Sequence, residues 1–421
     1  MKRYEKYKPT GIQWLPEIPD HWNNSKIKSH FRLRATKVSD KEYSALSVSK
    51  NGITPQLDSA VKTDNGDNRK LVKSGDFVVN SRSDRKGSCG ISSLDGSVSL
   101  INIVLEPIDG FGLFYHHLFR SNYYIEEFYR NGRGIVSDLW TTRWNEMSSI
   151  EIPFPPTDEQ KHIAAYLDKR ITLIENCKCQ RERELQTLNE LKQAEIASVV
   201  TRGLNPDVPM VYMDTPLKTK HPSHWKRVRN MTFLIEQTEK VGKQADDYQL
   251  LSLTTNGIIV RDVESGKGKF PKDFESYKVV EPGELVFCLF DIDETPRTIG
   301  LSQNHGMITG AYDVFKVKED IVNPSFVYAF YLVIDNIKAL KPYYSGLRKV
   351  VKHNRFMQIG FALPPIEEQN AIVEYIESKT SKIDTMIEAL KAEIDRLTEY
   401  KQRLISDVVT GQIDVRGEQI Q

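Results

Sequence analysis

The chain of 421 residues contains one pattern twice, and this duplication restricts its architecture more than any other feature. Residues 154–160 (FPPTDEQ) return as residues 363–369 (LPPIEEQ), at an offset of 209 residues. The same offset joins Ile163 to Ile372, Tyr166 to Tyr375, Ile174 to Ile383 and Lys192 to Lys401. Upstream, the matches continue with a drifting offset, as in His21-Trp22 and His224-Trp225. The chain therefore consists of a globular part followed by a helical segment, each present twice.

The two helical segments are uninterrupted by proline or glycine. Residues 158–200 and 367–409 each predict a helix of about 40 residues, or about 60 Å. A pair of prolines precedes each segment, and Gly203 and Gly411 offer the stops. Thr157 and Gln160 have the spacing of a capping box, whereas Ile366 departs from that pattern.

Heptad spacing in both segments predicts a coiled-coil seam. In the second helix, the main seam positions are Ile376, Ile383, Leu390, Leu397 and Leu404. In the first helix, the apolar positions are Leu167, Ile174 and Leu188, and polar residues such as Arg181 interrupt the seam. Because both helices belong to one chain, we expect them to pair with each other in antiparallel orientation; the alternative is that they are core helices of a bundle.

Each globular part combines strand-like and helix-like patterns, which predicts an α+β fold built once and copied. Strands are predicted at 44–49, 76–81 and 98–105 in the first copy and at 249–254, 284–290 and 311–317 in the second. Amphipathic helices are predicted at 113–129 and 325–339. The predicted boundaries are 1–156 (first globular part), 157–203 (helix), 204–365 (second globular part), 366–411 (helix) and 412–421 (tail).

Composition restricts the function classes. No apolar run approaches the length of about 20 residues that spans a bilayer, and no signal-peptide core follows Met1, so a cytoplasmic protein is expected. The four cysteines lack ligand spacing, and we predict no metal site. The sequence contains no GxxxxGK[ST] loop, GxGxxG turn or HExxH pair, so we expect the chain itself to be non-catalytic.

Loops between the predicted strands and helices contain the groups that bind phosphates and base edges. Because the net charge is only +1, a nucleic-acid surface has to be local. The candidates in the first copy are Ser81, Arg82, Ser83, Arg85, Lys86, Arg133, Trp140 and Arg143. Those in the second copy are Lys267, Lys269, Asp293, Arg297, Arg348, Lys349, Lys352 and Asn354.

The acidic loop around Asp291 and Asp293 admits two interpretations. Carboxylates repel phosphate, but they can accept a hydrogen bond from the amino group of cytosine. Two neighbouring carboxylates could instead bind Mg²⁺ for metal-dependent chemistry, although no supporting lysine or histidine constellation accompanies them. We therefore include Asp293 among the DNA-contacting candidates, with metal catalysis as the minor interpretation.

Several of these motifs together resemble the specificity subunits of type I restriction-modification enzymes. The resemblance lies in residues 14–22 (WLPEIPDHW), in the two PPxxEQ helix starts, in the Lys-Gln helix ends and in the twofold order of globular part and helix. It spans nearly the whole chain.

This resemblance implies a function as well as a fold. In that family each target-recognition domain reads one half of a bipartite DNA site, the coiled coil fixes the gap, and two modification subunits and the restriction subunits assemble around them. It implies DNA-facing loops at 81–86 and 134–143 in the first copy and at 290–297 and 346–354 in the second. S-adenosylmethionine, ATP and Mg²⁺ are then expected on the partner subunits, and this chain binds no cofactor. Because the globular parts have diverged while the helices match, we expect an asymmetric target.

Two other functions remain open from the residues themselves. The chain could be a coiled-coil scaffold that binds only proteins, or a single-chain metal-dependent nuclease that uses Asp291 and Asp293. Salt-dependent, sequence-selective duplex binding would separate a DNA reader from a scaffold. Metal-dependent cleavage by the purified chain would favour the nuclease.

Overall fold

The structure is a computed structural model that describes residues 2–57, 66–134, 140–261, 274–347 and 349–419. The chain divides into two compact units. The first unit contains Met1–Arg183 and Lys391–Gln421, and the second unit contains Glu184–Leu390. Each unit therefore includes one globular part and a portion of both long helices.

Short strands and helices form the globular part of the first unit. Its strands are β1 (Tyr7–Ile12), β2 (Leu15–Pro19), β3 (Asn23–Lys26), β4 (Phe31–Leu33), β5 (Lys37–Val38), β6 (Leu46–Ser49), β7 (Gly52–Pro55), β8 (Arg69–Val72), β9 (Phe77–Asn80), β10 (Cys89–Ile91), β11 (Gly96–Val98), β12 (Asn102–Pro107) and β13 (Glu151–Phe154). Its helices are α1 (Gly112–Leu118), α2 (Asn122–Arg130) and α3 (Trp144–Met147). The first long helix, α4 (Thr157–Arg202), follows β13.

The second unit repeats this pattern. Its strands are β14 (Met210–Tyr212), β15 (Lys220–Pro222), β16 (Lys226–Arg229), β17 (Leu234–Gln237), β18 (Leu251–Thr254), β19 (Gly257–Val260), β20 (Lys278–Val280), β21 (Leu285–Phe287), β22 (Ile299–Leu301), β23 (Gly306–Ile308), β24 (Asp313–Val317) and β25 (Gly360–Leu363). Its helices are α5 (Pro324–Asn336) and α6 (His353–Met357), and the second long helix is α7 (Ile366–Val409).

The strand order confirms that the two globular parts are copies of one α+β fold. The main sheet of the first unit has the order β10-β9-β12-β4, and the main sheet of the second has the corresponding order β22-β21-β24-β17. The hairpins β1-β2 and β6-β7 correspond to β14-β15 and β18-β19, and the pair β3-β13 corresponds to β16-β25. Loop lengths differ between the copies, which explains the drifting offset in the sequence.

Aromatic side chains fill the core of each unit and connect it to the long helices. In the first unit, Trp22 and Phe77 share one cluster with Leu167 of α4 and Leu404 of α7. In the second unit, the corresponding cluster joins Trp225 to Val199 of α4 and to Ile372 of α7. Burying such side chains contributes about 1.5–3 kcal/mol each, so each long helix is a structural part of the unit that it enters.

The long helices pair in antiparallel orientation within each unit, as predicted. In the first unit, Lys401 bonds to Glu175, and Arg181 bonds to Glu393 at 3.0 Å. In the second unit, the Lys192 ammonium donates to Asp384 at 2.6 Å, and the Tyr375 hydroxyl donates to Glu195 at 3.3 Å. All the predicted seam positions are buried or half-buried: Leu167, Ile174, Leu188, Ile376, Ile383, Leu390, Leu397 and Leu404. The polar interruptions Arg181 and Lys192 thus belong to ion pairs between the two helices.

The helix predicted at 113–129 is interrupted. The chain forms α1 and α2 with a break at residues 119–121. Ser121 has an extended backbone, and its hydroxyl accepts a hydrogen bond from the Tyr124 N–H as the N-cap of α2. A new cap inside an amphipathic pattern ended the first helix early, which the periodicity alone did not indicate.

Candidate nucleic-acid interface

Two loops predicted separately in the first unit lie side by side in the structure. The Ser83 N–H donates to the Trp140 carbonyl at 3.0 Å, and the Thr142 N–H donates to the Ser81 carbonyl at 3.0 Å. Arg82 and Thr141 form an isolated β-bridge. Backbone hydrogen bonds therefore join the segments 81–86 and 140–143 into one surface, which we call the first loop surface.

Most cations of the first loop surface, and Arg133, which forms a β-bridge to Thr141 beside it, have a carboxylate neighbour. The pairs are Lys86 with Glu126 (3.0 Å), Arg133 with Glu146 (3.3 Å), Arg82 with Asp84 (3.4 Å) and Arg85 with Asp84 (3.8 Å). Arg143 is exposed, and no ion pair connects it to a carboxylate of the described residues. Ion pairs between exposed groups are worth only about 0–1 kcal/mol, so phosphate could replace the carboxylates at low cost.

The remaining candidates of this surface have structural contacts. Ser81 is buried, and its hydroxyl donates to the Ile101 carbonyl at 2.5 Å. The Trp140 indole N–H donates to the Tyr129 carbonyl at 2.8 Å, while its ring stays partly exposed. Ser83 is half-buried. Ser81 thus ties its loop to residue Ile101, and Trp140 ties its segment to residue Tyr129.

The corresponding loops of the second unit also meet, through the acidic residue Asp293. Its carboxylate accepts a hydrogen bond from the Tyr344 hydroxyl at 3.0 Å and lies 3.4 Å from the ammonium groups of Lys341 and Lys349. Burial favours a higher pKa for Asp293, but the Tyr344 hydroxyl and the two ammonium groups outweigh it and lower the pKa below its ordinary value. The Asp293 carboxylate is therefore neutralised by the neighbouring loop. We call the loop of Asp293 and the loop that contains Lys341, Tyr344 and Lys349 together the second loop surface.

Arg297 has a structural role in the second unit that the sequence did not indicate. It donates to the buried Asp335 carboxylate at 3.0 Å, and Lys338 donates to the same carboxylate at 2.7 Å. The Thr298 hydroxyl also donates to Asp335, at 2.6 Å. The sequence signal for this role is Asp335, a single acidic residue within the apolar pattern of α5. A lone carboxylate on a buried helix face requires hydrogen-bonding or cationic partners.

Other candidates of the second unit lie at the surface or outside the described residues. Lys352 and Asn354 are exposed at the start of α6. Lys349 has a φ of 49°, in the left-handed region. Arg348, Lys267 and Lys269 lie outside the residues that the structure describes.

One group in the described part of the chain has the donors of a metal site. Glu236, Asp313 and His353 place one ligand atom each within 4.8 Å of one another, and all three are half-buried. The Lys278 ammonium lies 3.8 Å from the Asp313 carboxylate and already supplies a positive charge there. Burial, foremost, and the neighbouring Glu236 raise the pKa of Asp313.

The repeated PPxxEQ motif joins each globular part to its long helix. Gln160 accepts a hydrogen bond from the Phe111 N–H and donates to the Pro155 carbonyl, each at 2.8 Å. Gln369 makes the same two kinds of bond, with the Asn323 N–H at 2.8 Å and the Pro364 carbonyl at 2.9 Å. Both glutamines are fully buried. The capping box expected for Gln160 is therefore absent, because its amide bonds to the globular part.

The glutamate of the motif forms a second bond to the globular part. Glu159 lies 2.8 Å from the His21 imidazole nitrogen, and Glu368 lies 2.7 Å from that of His224. These histidines belong to the His-Trp pairs that the sequence repeat identified. We call each set of glutamate, glutamine and histidine a helix joint.

We expect Gln160→Ala to lower the free energy of unfolding by about 1–3 kcal/mol, because it leaves the Phe111 N–H without its acceptor. Chemical denaturation of the full-length chain measures the change. Gln186→Ala is the matched control, since Gln186 is exposed on the same helix. Equal effects of the two substitutions would show that the joint contributes no stability.

Among the described residues, no helix has the length and apolar character needed to cross a membrane. No protein-family model matches the chain.

Comparison with known proteins identifies relatives that include two proteins of Methanocaldococcus jannaschii. The chain is 24% identical over 302 residues to the specificity subunit of the type I restriction enzyme MjaVIII, a match that covers 64% of this chain and 63% of that protein. It is 22% identical over 297 residues to the putative specificity subunit of the type I restriction enzyme MjaX, covering 64% of this chain and 61% of that protein. The matched region thus spans less than two thirds of the length of either relative.

A solved structure shares the fold. It was solved to explain complex assembly and conformational transition of the type I R-M system. The two folds match with a TM-score of 0.66 and 13% sequence identity, and the match covers 94% of this chain and 99% of that chain. The resemblance inferred from the sequence is confirmed by the two relatives, and the fold by the solved chain.

Proposed function

We propose that this chain, a relative of type I restriction specificity subunits that shares their fold, is the DNA-sequence specificity subunit of a type I restriction-modification complex. It recognises a bipartite, asymmetric duplex site, with one half-site for each globular part. The paired helices α4 and α7 set the gap between the half-sites. The chain is non-catalytic by itself.

The observation that carries this proposal is the duplication of the loop surfaces. Each globular part brings the same two loops together at the same place in a common fold, yet the side chains differ between the copies. The first loop surface is rich in arginine, whereas the second combines Asp293 with Lys341 and Lys349. Two copies of one fold with different side chains on their loop surfaces support recognition of two different DNA sequences.

Partners and cofactors follow from the same proposal. Two modification subunits and the restriction subunits assemble on this chain, and S-adenosylmethionine, ATP and Mg²⁺ bind to those partners. Of the alternatives, the nuclease fits the structure less well, because Asp293 is surrounded by two ammonium groups and a hydroxyl donor instead of an open position for Mg²⁺. A protein-binding scaffold remains the second candidate, since the helix pair by itself suits both functions.

The test is to map the DNA methylation produced when the full-length chain is co-expressed with its modification subunit. We expect one bipartite motif with unlike halves and a fixed gap, absent when the chain is omitted. Methylation independent of the chain, or a chain that binds its partner but no DNA sequence selectively, would favour the scaffold.

Arg82→Ala should weaken binding to the mapped duplex by about 1–3 kcal/mol if Arg82 makes a bidentate base contact. The guanidinium lies on the first loop surface, where the side chains of its ion pair with Asp84 are 42% and 46% exposed. The loss should be confined to one half-site, as measured with duplexes altered in each half separately. Lys161→Ala, which removes an exposed cation of α4, is the control. A uniform loss at every sequence would assign Arg82 to phosphate binding, and the same reasoning applies to Arg348→Ala at the other half-site.

A further inference from the structure

A tight turn in the first unit has two exposed aliphatic residues at its centre. The Asn102 N–H donates to the Ser99 carbonyl at 3.0 Å, which closes the turn between β11 and β12. Leu100 and Ile101 occupy the two central positions and are 39% and 43% exposed. Central turn positions favour glycine, proline, asparagine and aspartate, so the turn itself does not call for these side chains.

The second unit shows the same turn without them. The Tyr312 N–H donates to the Thr309 carbonyl at 3.1 Å between β23 and β24, with Gly310 and Ala311 at the centre. Because both units share the fold, side chains that the turn needs should occur in both turns. Leu100 and Ile101 are an addition specific to the first globular part.

One hydrogen bond holds this turn against the first loop surface, and a second one fixes it to β8. The Ser81 hydroxyl donates to the Ile101 carbonyl at 2.5 Å, and the Lys70 ammonium donates to the Asn102 carbonyl at 2.6 Å. The turn is thus fixed beside the loop that contains Arg82. Its side chains are presented on a rigid support, which lowers the entropy lost on binding.

The turn borders a groove of about 550 Å³ whose charge complements a polyanion. Lys70, Arg82 and Arg143 line the groove, and Leu33, which is 39% exposed, adds a third exposed aliphatic side chain. None of the described lining residues is acidic. Another pocket of the same unit is lined by Glu126 and Glu127 as well as by Lys86 and Arg130, so its charges balance and the groove is the better match for DNA.

We infer that the Leu100–Ile101 turn is a specificity determinant of the first globular part, which contacts the 5-methyl group of thymine in the major groove. This inference rests on the proposed function and names the base group that one half of the site offers. The thymine methyl is the apolar group on the base edges of the major groove, and aliphatic side chains are its complement. Lys70 and Arg143, the other cations of the groove, bind the neighbouring phosphates.

The experiment uses the full-length chain, assembled with its modification subunit, and duplexes carrying the mapped site. Each thymine is replaced in turn by deoxyuridine, which removes only the methyl group. We expect one such replacement, in the half-site that Arg82→Ala weakens, to lower the affinity about fourfold, the effect of one buried methyl group.

The variant Leu100→Gly with Ile101→Ala copies the turn of the second unit and should preserve the fold. It should bind the thymine and deoxyuridine duplexes equally, while the other half-site keeps its discrimination. Ile108→Ala, at a residue of the same unit that is 47% exposed and away from the groove, should behave like the unaltered chain.

Three results would overturn the inference while leaving the proposed function intact. The first is a variant that binds its site selectively and keeps the full preference for thymine. The second is a half-site that contains no thymine. The third is a variant with unchanged DNA binding that no longer retains the modification subunit, since a protein would then cover the turn. Absence of any sequence-selective binding by the unaltered assembly would instead contradict the proposed function itself.

Discussion

A chain with one heptad added to α4 and one added to α7 should direct methylation to sites whose gap is about three base pairs longer, with both half-sites unchanged. Seven helical residues extend a helix by about 10 Å, and successive base pairs rise by about 3.4 Å. The insertions belong after Leu188, a half-buried seam position of α4, and after Ile387, a buried residue of α7. A whole heptad in both helices preserves the seam and its antiparallel register. Methylation mapping of the co-expressed variant measures the gap.

A variant with three residues added at each position is the control for this prediction. That insertion rotates the seam out of register, so we expect loss of stability and of methylation, without a new gap. If the heptad variant methylates sites with the original gap, the helices do not set the spacing.

Asp335→Ala should lower the free energy of unfolding by about 3–5 kcal/mol, the usual cost of removing one partner from a buried ion pair. The Asp335 carboxylate is buried and accepts from Arg297, Thr298 and Lys338. Alanine leaves two cationic groups in a partly desolvated place without their counter-ion. Because Arg297 and Thr298 follow the acidic loop, we also expect weaker binding at one half-site. Chemical denaturation and duplex binding of the full-length chain measure the two effects.

Asp214→Ala is the matched control, because the Asp214 carboxylate pairs with Arg227 at 2.9 Å at the surface of the same unit. An exposed pair contributes about 0–1 kcal/mol. Asp335→Asn should lose less stability than Asp335→Ala, since an amide oxygen can still accept from Thr298. Equal losses for Asp214→Ala and Asp335→Ala would contradict the structural role of the Asp335 carboxylate.

Local rules predicted the long helices closely. The proline pairs and the final glycines bracketed α4 and α7, which the structure extends by at most two residues at either end. Prolines prevent a helix from extending backwards through them, and this effect does not depend on the rest of the fold. Strand positions such as 313–317 were likewise indicated by β-branched and aromatic residues.

Contacts distant in sequence could not be predicted in the same way. The bonds between Ser83 and Trp140, and between Asp293 and Tyr344, depend on which loops the sheet brings together. The sequence indicated clusters of cations but not the carboxylates that neighbour them, such as Glu126 beside Lys86. It also placed Arg297 among the DNA-contacting candidates, while in the structure the Asp335 carboxylate binds its guanidinium.

The helix joints are built from the same three residue types in both units, with Glu159, Gln160 and His21 in one and Glu368, Gln369 and His224 in the other. A globular part that forms one helix joint therefore has the residues needed to form the other. Recombination at the PPxxEQ codons could therefore exchange one globular part for a foreign one while the joint to the helix is kept. If each globular part recognises one half-site, as proposed, a hybrid with the same globular part in both positions should recognise a self-complementary site.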